Sequence, residues 1–193
     1  MSWMTDRPLN QFALPRGWRG RLAGWVMART NGTEMAEVLG ELGPVRGRAV
    51  LEVGFGPGLL SKALTGADAR VTGVDPSEVM LRQARRRAPG ARLRLGSAQR
   101  TGGADGEFEV VVSMNNLPMW PDLDAALDEL HRVTRPGGRL VLAWHGGTEP
   151  TRRTLGMLLP AAAAERVLAG LRARFASAEL TRTKHCEIFV GTR

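Results

Sequence analysis

A chain of 193 residues is long enough for one domain with a sizeable core and cramped for two, and its 43% hydrophobic and 24% charged residues exclude general disorder and fibrous architectures. The formal net charge of +8 and pI near 11.3 invite an anionic partner such as a nucleic acid, but nearly all of that charge is arginine in a chain rich in Ala and Gly, as genomic base composition alone would produce. Cys186 is the only cysteine, so no internal disulfide forms; no apolar run reaches the roughly 18 residues of a membrane span, and no secretory leader pattern opens the chain, so a cytoplasmic protein without membrane partners is expected.

Residues 1–47 precede the first predicted strand and read as an N-terminal helical cover. Trp18, Leu22, Trp25, Val26 and Met27 interleave with Arg16, Arg19, Arg21 and Arg29 in a basic amphipathic stretch. Asn31 or Thr33 can cap a following helix, in which Met35, Val38, Leu39 and Leu42 recur at helical spacing before Gly43-Pro44.

Residues 48–193 read as one globular unit. Arg48 to Val53 suit a strand buried on both faces, and the strand runs into Gly54, Gly56 and Gly58, which remove side chains where the backbone turns sharply and approaches a ligand. Pro57 fixes one φ of that turn. Leu59, Leu60, Ala63 and Leu64 make the apolar face of a helix that stops at Gly66. A second strand, Arg70 to Asp75, ends in an acid 21 residues beyond Gly54, the separation at which a carboxylate meets the ribose hydroxyls of a nucleoside. Ser77 caps a helix to about Ala88, with Met80, Leu81, Ala84 and Ala88 inward and Arg82, Arg85, Arg86 and Arg87 forming a solvated face.

Pro89-Gly90 turns the chain into a short alternating strand, Ala91 to Leu95. After a polar loop, Phe108 to Met114 is a valine-rich central strand. Asp122 caps a helix carrying Leu123, Ala126, Leu127, Leu130 and Val133 on one face, Pro136-Gly137-Gly138 is a turn in type II order, and Arg139 to His145 is the next strand. Pro160 opens a helix to about Arg172, and strands Ala176 to Thr181 and Cys186 to Val190 close the sequence.

Strands alternating with helices predict an α/β, Rossmann-like, doubly wound sheet, mainly parallel, with helices on both faces and an antiparallel C-terminal pair of strands. Ligands in such sheets bind beyond the carboxyl ends of the strands. Gly54 to Gly58, Asp75, Ser97-Ala98, Asn115-Asn116 and His145 all fall at such ends and share one rim.

Val50-Leu51-Glu52-Val53-Gly54-Phe55-Gly56-Pro57-Gly58 has an acid before glycines at alternate positions, unlike the G-x-G-x-x-G of dinucleotide oxidoreductases. With Gly73 to Leu81, Phe108 to Val111 and Glu129 to Leu140 following in order, residues 48 to 145 resemble the class I S-adenosylmethionine-dependent methyltransferases, especially small bacterial ones without a separate substrate domain. The resemblance implies S-adenosyl-L-methionine as cofactor. By it, Asp75 holds both ribose hydroxyls, Gly54, Phe55, Gly56 and Gly58 let the backbone touch the methionine and ribose portions, and Glu52 lies beneath the loop, reaching the amino-acid end directly or through water. Pro76 and Met80 border the adenine face, Ser97 and Ala98 the adenine edge, and Asn115 the cofactor side of the rim. Ser97 departs from the family, which often has Asp there, a stronger acceptor for the adenine amino group.

Methyl transfer from a sulfonium is an in-line displacement, for which the protein mainly aligns the reactants and excludes water; a base helps when the acceptor is a hydroxyl or an acid carbon. His145 is the candidate base, and Asn116, Trp120 and Trp18 are acceptor-side candidates, with about Phe12 to Met35 closing over the pocket. Asn115 to Trp120 lacks the paired prolines of the amino-group methyltransferase signature, no Walker-type lysine follows the glycines, and one cysteine with three scattered histidines supplies no metal cluster. The expected partner is a small-molecule methyl acceptor. An RNA or DNA methyltransferase and a non-catalytic S-adenosylmethionine-binding protein stand as alternatives, and oligomeric state is not legible.

Overall fold

The computed structural model describes residues 2–4, 32–152 and 154–193. Trp18 and the basic amphipathic stretch lie outside the described residues. The elements in chain order are α1 (Gly32–Leu42), β1 (Ala49–Val53), α2 (Leu59–Gly66), β2 (Arg70–Asp75), α3 (Glu78–Arg87), β3 (Arg92–Leu95), β4 (Phe108–Met114), α4 (Leu123–Val133), β5 (Thr134–His145), α5 (Ala161–Arg172), β6 (Ser177–Arg182) and β7 (Cys186–Thr192). They build one seven-stranded sheet in the order β3-β2-β1-β4-β5-β7-β6. The first five strands of that order pair in parallel, and β7 runs antiparallel to both β5 and β6.

Strand order reverses between β1 and β4. The crossovers leaving these two strands go to opposite sides, which opens a crevice at their carboxyl ends. Val50, Leu51 and Val53 of β1 and Val110, Val111 and Val112 of β4 are all buried, as expected of strands covered on both faces. Alternate residues feed two cores. Leu51, Val111, Leu140 and Leu142 meet Leu123, Leu127 and Leu130 of α4 and Val167 and Leu171 of α5, while Val50, Val110, Val112, Val141 and Ala143 meet Val38 and Leu42 of α1 and Leu60 and Leu64 of α2. Each fully buried aliphatic side chain contributes about 1.5–3 kcal/mol relative to exposure. A smaller cluster of Val79, Met80 and Ala84 from α3 with Phe55 and Leu93 closes the β3 side.

Two of the predicted caps form, whereas Thr33 lies within α1 and Asn31 is outside the described residues. The Ser77 side chain accepts from the Met80 N–H at 3.4 Å, and Asp122 Oδ1 accepts from the Ala125 N–H at 3.1 Å. The turn predicted at Pro136-Gly137-Gly138 instead interrupts a strand. β5 starts at Thr134, directly after α4; Thr134 pairs with Phe108 and Arg139 with Val110, so the Pro-Gly-Gly residues bulge out of the ladder. Arg193 holds that bulge from the C-terminal side: Gly137 N–H donates to the Arg193 carbonyl at 2.7 Å, and Arg193 N–H donates to the Gly138 carbonyl at 3.0 Å. Its guanidinium also donates to the carbonyls of His131 and Arg132 at 3.0 Å each, satisfying the open end of α4.

Three glutamates fasten α1 to the β5–β7 half of the sheet. Glu34 reaches His145, Glu37 Oε1 lies 2.7 Å from His185 Nδ1, and Glu41 Oε1 accepts from Arg139 Nη2 at 2.6 Å. At the opposite face of the rim, the Trp3 indole N–H donates to the Leu117 carbonyl at 2.9 Å. Among the described residues no helix is long and apolar enough to cross a membrane.

Candidate active site

β1 leaves the sheet at Val53 through a turn whose glycines all take positive φ, 75° at Gly54, 50° at Gly56 and 82° at Gly58. A left-handed backbone costs other residues about 1–2 kcal/mol each. Space forbids side chains as well: a Cβ on Gly54 would lie 2.1 Å from Asn116 Nδ2, and one on Gly58 would lie 2.7 Å from the Ala84 Cβ. Gly54→Ala should therefore displace Asn116 from over the turn, lower cofactor affinity at least tenfold and lower the melting temperature; calorimetry and thermal melts read the two effects.

The turn is tied to β2 by Asp75. Its Oδ2 accepts from the Gly56 N–H at 2.9 Å and its Oδ1 from the Ser77 N–H at 2.8 Å. An ionised carboxylate offers about four acceptor positions, so two remain for the paired hydroxyls of a ribose. Burial pushes the Asp75 carboxyl above its ordinary range, while the Ser77 and Gly56 N–H groups pull the other way. Pro76 is exposed beside it. Gly96 N–H donates to the Asp75 carbonyl at 3.2 Å, and Ser97 exchanges backbone hydrogen bonds with Arg100. The loop after β3 is thereby set next to the acid. Ala98 belongs to the main core, whereas the Phe55 and Met80 side chains pack into the α3 cluster beneath the turn.

Glu52 lies fully inside, and the Ser61 hydroxyl of α2 donates to its Oε2. Desolvation by burial pushes the Glu52 carboxyl up to about 8, with the nearby Asp75 charge acting in the same direction and the Ser61 hydrogen bond opposing both. Near pH 7 it therefore holds its proton for most of the time.

At the β4 end, Asn115 takes a left-handed φ of 58° and its N–H donates to the Ala143 carbonyl at 2.9 Å. Its Nδ2 donates to Glu34 Oε2 at 2.7 Å, and the buried Oδ1 has no partner among the described residues. Asn116 uses both ends of its amide within the protein. Nδ2 donates to the Val53 carbonyl at 2.8 Å, and Oδ1 accepts from the Ser113 hydroxyl at 2.7 Å and from the Trp120 indole at 2.8 Å. Trp120 is buried in the main core.

His145, the last residue of β5, has Nδ1 2.8 Å from Glu34 Oε1, and both side chains are more than nine-tenths buried. Its ring lies 4.8 Å from the Trp144 indole, centroid to centroid. Among the other histidines, His131 packs edge-on against Phe175 and His185 binds Glu37. Glu34 was not singled out by sequence. The available signal was its place at i, i+4 and i+8 with Val38 and Leu42, an acid on the buried stripe of α1.

A glycine turn that a Cβ would fill, a carboxylate fork with two acceptor positions left, and an orphaned buried amide oxygen one strand away suit a ligand that is a nucleoside at one end and a hydrogen-bond donor at the other. These features fit S-adenosylmethionine.

The family model for a methyltransferase domain matches residues 51–142. The chain is 34% identical over 125 residues to the uncharacterized methyltransferase YdaC of Bacillus subtilis (strain 168), a match covering 63% of this chain and 69% of that protein. It is 34% identical over 130 residues to the ubiquinone biosynthesis O-methyltransferase of Thiobacillus denitrificans, over 65% of this chain and 54% of that one. A solved S-adenosylmethionine-dependent methyltransferase structure from Methanococcus maripaludis superposes with a TM-score of 0.73 at 16% identity, covering 98% of this chain and 97% of the other, a likeness of fold. With that fold, that turn and those relatives, the chain belongs to the class I methyltransferases, enzymes whose methyl donor is S-adenosylmethionine.

Proposed function

We propose that this enzyme methylates a small-molecule acceptor bound over the carboxyl ends of β4 and β5, with residues 1–47 serving as its cover. The carrying observation is the order of groups along the rim. Asp75 and the Ser97 loop lie on one side of the glycine turn, and Asn115, Glu34 and His145 lie on the other. A cofactor held by its ribose at Asp75 then has its reactive end toward β4. S-adenosylmethionine supplies an electrophilic methyl group on a sulfonium; the protein's part is to orient an acceptor against it and keep water out.

The Thiobacillus relative, a ubiquinone biosynthesis O-methyltransferase, supports a small-molecule acceptor. The arginines near the nucleoside end give a nucleic acid less purchase than their number suggests. Arg85 donates to the Leu93 carbonyl, Arg87 to that of Pro57 and Arg94 to that of Thr101. A cytoplasmic location accords with the buried, unpaired Cys186.

Calorimetric titration with S-adenosylmethionine, followed by an acceptor screen that detects S-adenosylhomocysteine, tests the reading. Cofactor binding with turnover of small acceptors is the expected result. Turnover confined to RNA or DNA, with binding that collapses as salt rises, would overturn it.

A further inference from the structure

We propose that His145 is the base that takes the acceptor's proton, that Glu34 and Asn115 are the residues positioning it, and that the acceptor is a hydroxyl compound rather than an amine. The inference rests on the methyltransferase reading above and adds to it the chemistry of the nucleophile.

Three side chains from separate elements meet at one buried carboxylate. Glu34 of α1 has Oε1 2.8 Å from His145 Nδ1, and its Oε2 accepts from Asn115 Nδ2 at 2.7 Å. A carboxylate accepting at Nδ1 selects the tautomer with its proton there, so the neutral ring carries its free lone pair on Nε2. The carboxylate also stabilises the imidazolium formed when Nε2 takes a proton, the logic by which an acid orients and supports a histidine base. Asn115 holds the second carboxylate oxygen and so fixes the plane of the carboxyl group. Its own orphaned Oδ1 remains as an acceptor for a donor arriving with the ligand. Among the described residues the Trp144 ring also meets this cluster, as does Cys186, which lies opposite His145 in the β5–β7 ladder and whose thiol burial pushes up, keeping it uncharged.

The position suits the task. In the order β2-β1-β4-β5, three inter-strand steps of about 4.8 Å, about 14 Å in all, separate the ends of β2 and β5, a span that a cofactor bound by its ribose at Asp75 shares with an acceptor. The step balances. The acceptor hydroxyl gives its proton to His145 Nε2, its oxygen forms a bond to the methyl carbon, and the carbon–sulfur bond breaks with both electrons staying on sulfur. The products are the methyl ether, S-adenosylhomocysteine and an imidazolium paired with Glu34; the positive charge of the sulfonium has become that of the ring. An amine acceptor binding as a free base does not need this proton removed before attack, and a buried carboxylate–imidazole pair would add little for it.

Two variants separate catalysis from a merely structural latch on α1. His145→Asn can keep a donor where Nδ1 was and so keep Glu34 engaged, while removing Nε2. Glu34→Gln keeps the shape of the side chain and removes the charge. Calorimetric binding of S-adenosylhomocysteine, expected within about threefold of wild type in both, reports an intact cofactor site; failure of the wild type to bind would overturn the methyltransferase reading itself, not the dyad.

With the site intact, two-bond ¹H–¹⁵N spectra of histidine-labelled protein should show His145 protonated at Nδ1 in the wild type and lose that preference in Glu34→Gln. A panel of phenols, alcohols, amines and thiols should yield S-adenosylhomocysteine with hydroxyl acceptors. For these, His145→Asn should lower kcat at least 100-fold and Glu34→Gln should lower it by a smaller factor, with KM moved less than about threefold in both. A wild-type His145 protonated at Nε2, a tautomer indifferent to Glu34→Gln, turnover of amines or thiols alone or of no panel member, or an unchanged kcat in His145→Asn would each overturn the proposal.

Discussion

Replacing Asp75 with alanine should weaken S-adenosylmethionine binding by about 10²- to 10⁴-fold, measured by calorimetry, while the protein stays folded. The magnitude follows from two hydrogen bonds between ribose hydroxyls and an ionised carboxylate, each worth about 1.5–3 kcal/mol. Loss of the two backbone bonds to Gly56 and Ser77 would further loosen the turn. The fold should survive because Asp75 sits at the end of β2 and takes no part in the apolar clusters. Asp75→Asn should fall between the two proteins: an amide keeps one acceptor oxygen, so either Gly56 or Ser77 loses its partner. Affinity within about threefold of wild type in Asp75→Ala would remove the carboxylate fork as the ribose site.

Glu52→Gln should flatten the dependence of stability on pH. The wild-type carboxyl, buried against Ser61, keeps its proton to about pH 8 in the folded protein, against an ordinary value of 4.5 once unfolded. Between those limits the folded state holds a proton that the unfolded state has released, so raising the pH favours unfolding, by up to about 1.4 kcal/mol per pH unit. The contribution is fully retained below the unfolded value and lost as pH rises through the folded one. Asp75, also raised, adds to the same trend in the acid part of the window. A glutamine keeps an acceptor for the Ser61 hydroxyl and carries no proton to lose. Urea unfolding at about pH 5.5, 7 and 8.5 should show the wild type losing stability with pH more steeply than Glu52→Gln; parallel curves would show that Glu52 does not titrate in this way.

The glycine turn and the carboxylate tied to it were legible because they are local. Gly54, Gly56 and Gly58 lie within five consecutive residues whose conformation any other residue would resist, and Asp75 ends the next strand at the separation that one intervening helix imposes. Ser77 and Asp122 announce their helices by capping chemistry that spans three residues. The valine-rich character of β4 declares burial on both faces before any partner strand is known.

The acceptor half depends on groups brought together from far along the chain. Glu34 stands 81 residues from Asn115 and 111 from His145, and only the docking of α1 on the β5–β7 half of the sheet gives it those partners. The parallel pairing of β1 with β4, not the docking of α1, puts Asn116 beside the Val53 carbonyl. The asparagine's amide is occupied by Val53, Ser113 and the tryptophan indole, the pair forming a brace over Gly54. Pro136-Gly137-Gly138 carries a turn's chemistry, yet Arg193 draws it into the edge of a strand by hydrogen bonds that link residues more than fifty apart. By itself, the sequence determined the layered α/β order, the glycine turn and the carboxylate that ends the next strand, because backbone sterics, capping and strand burial act over a few residues. The tertiary structure alone decided which polar side chains share the acceptor rim and which are consumed in supporting it, since a hydrogen bond between distant residues exists only after the apolar faces of α1 and the sheet have closed on each other.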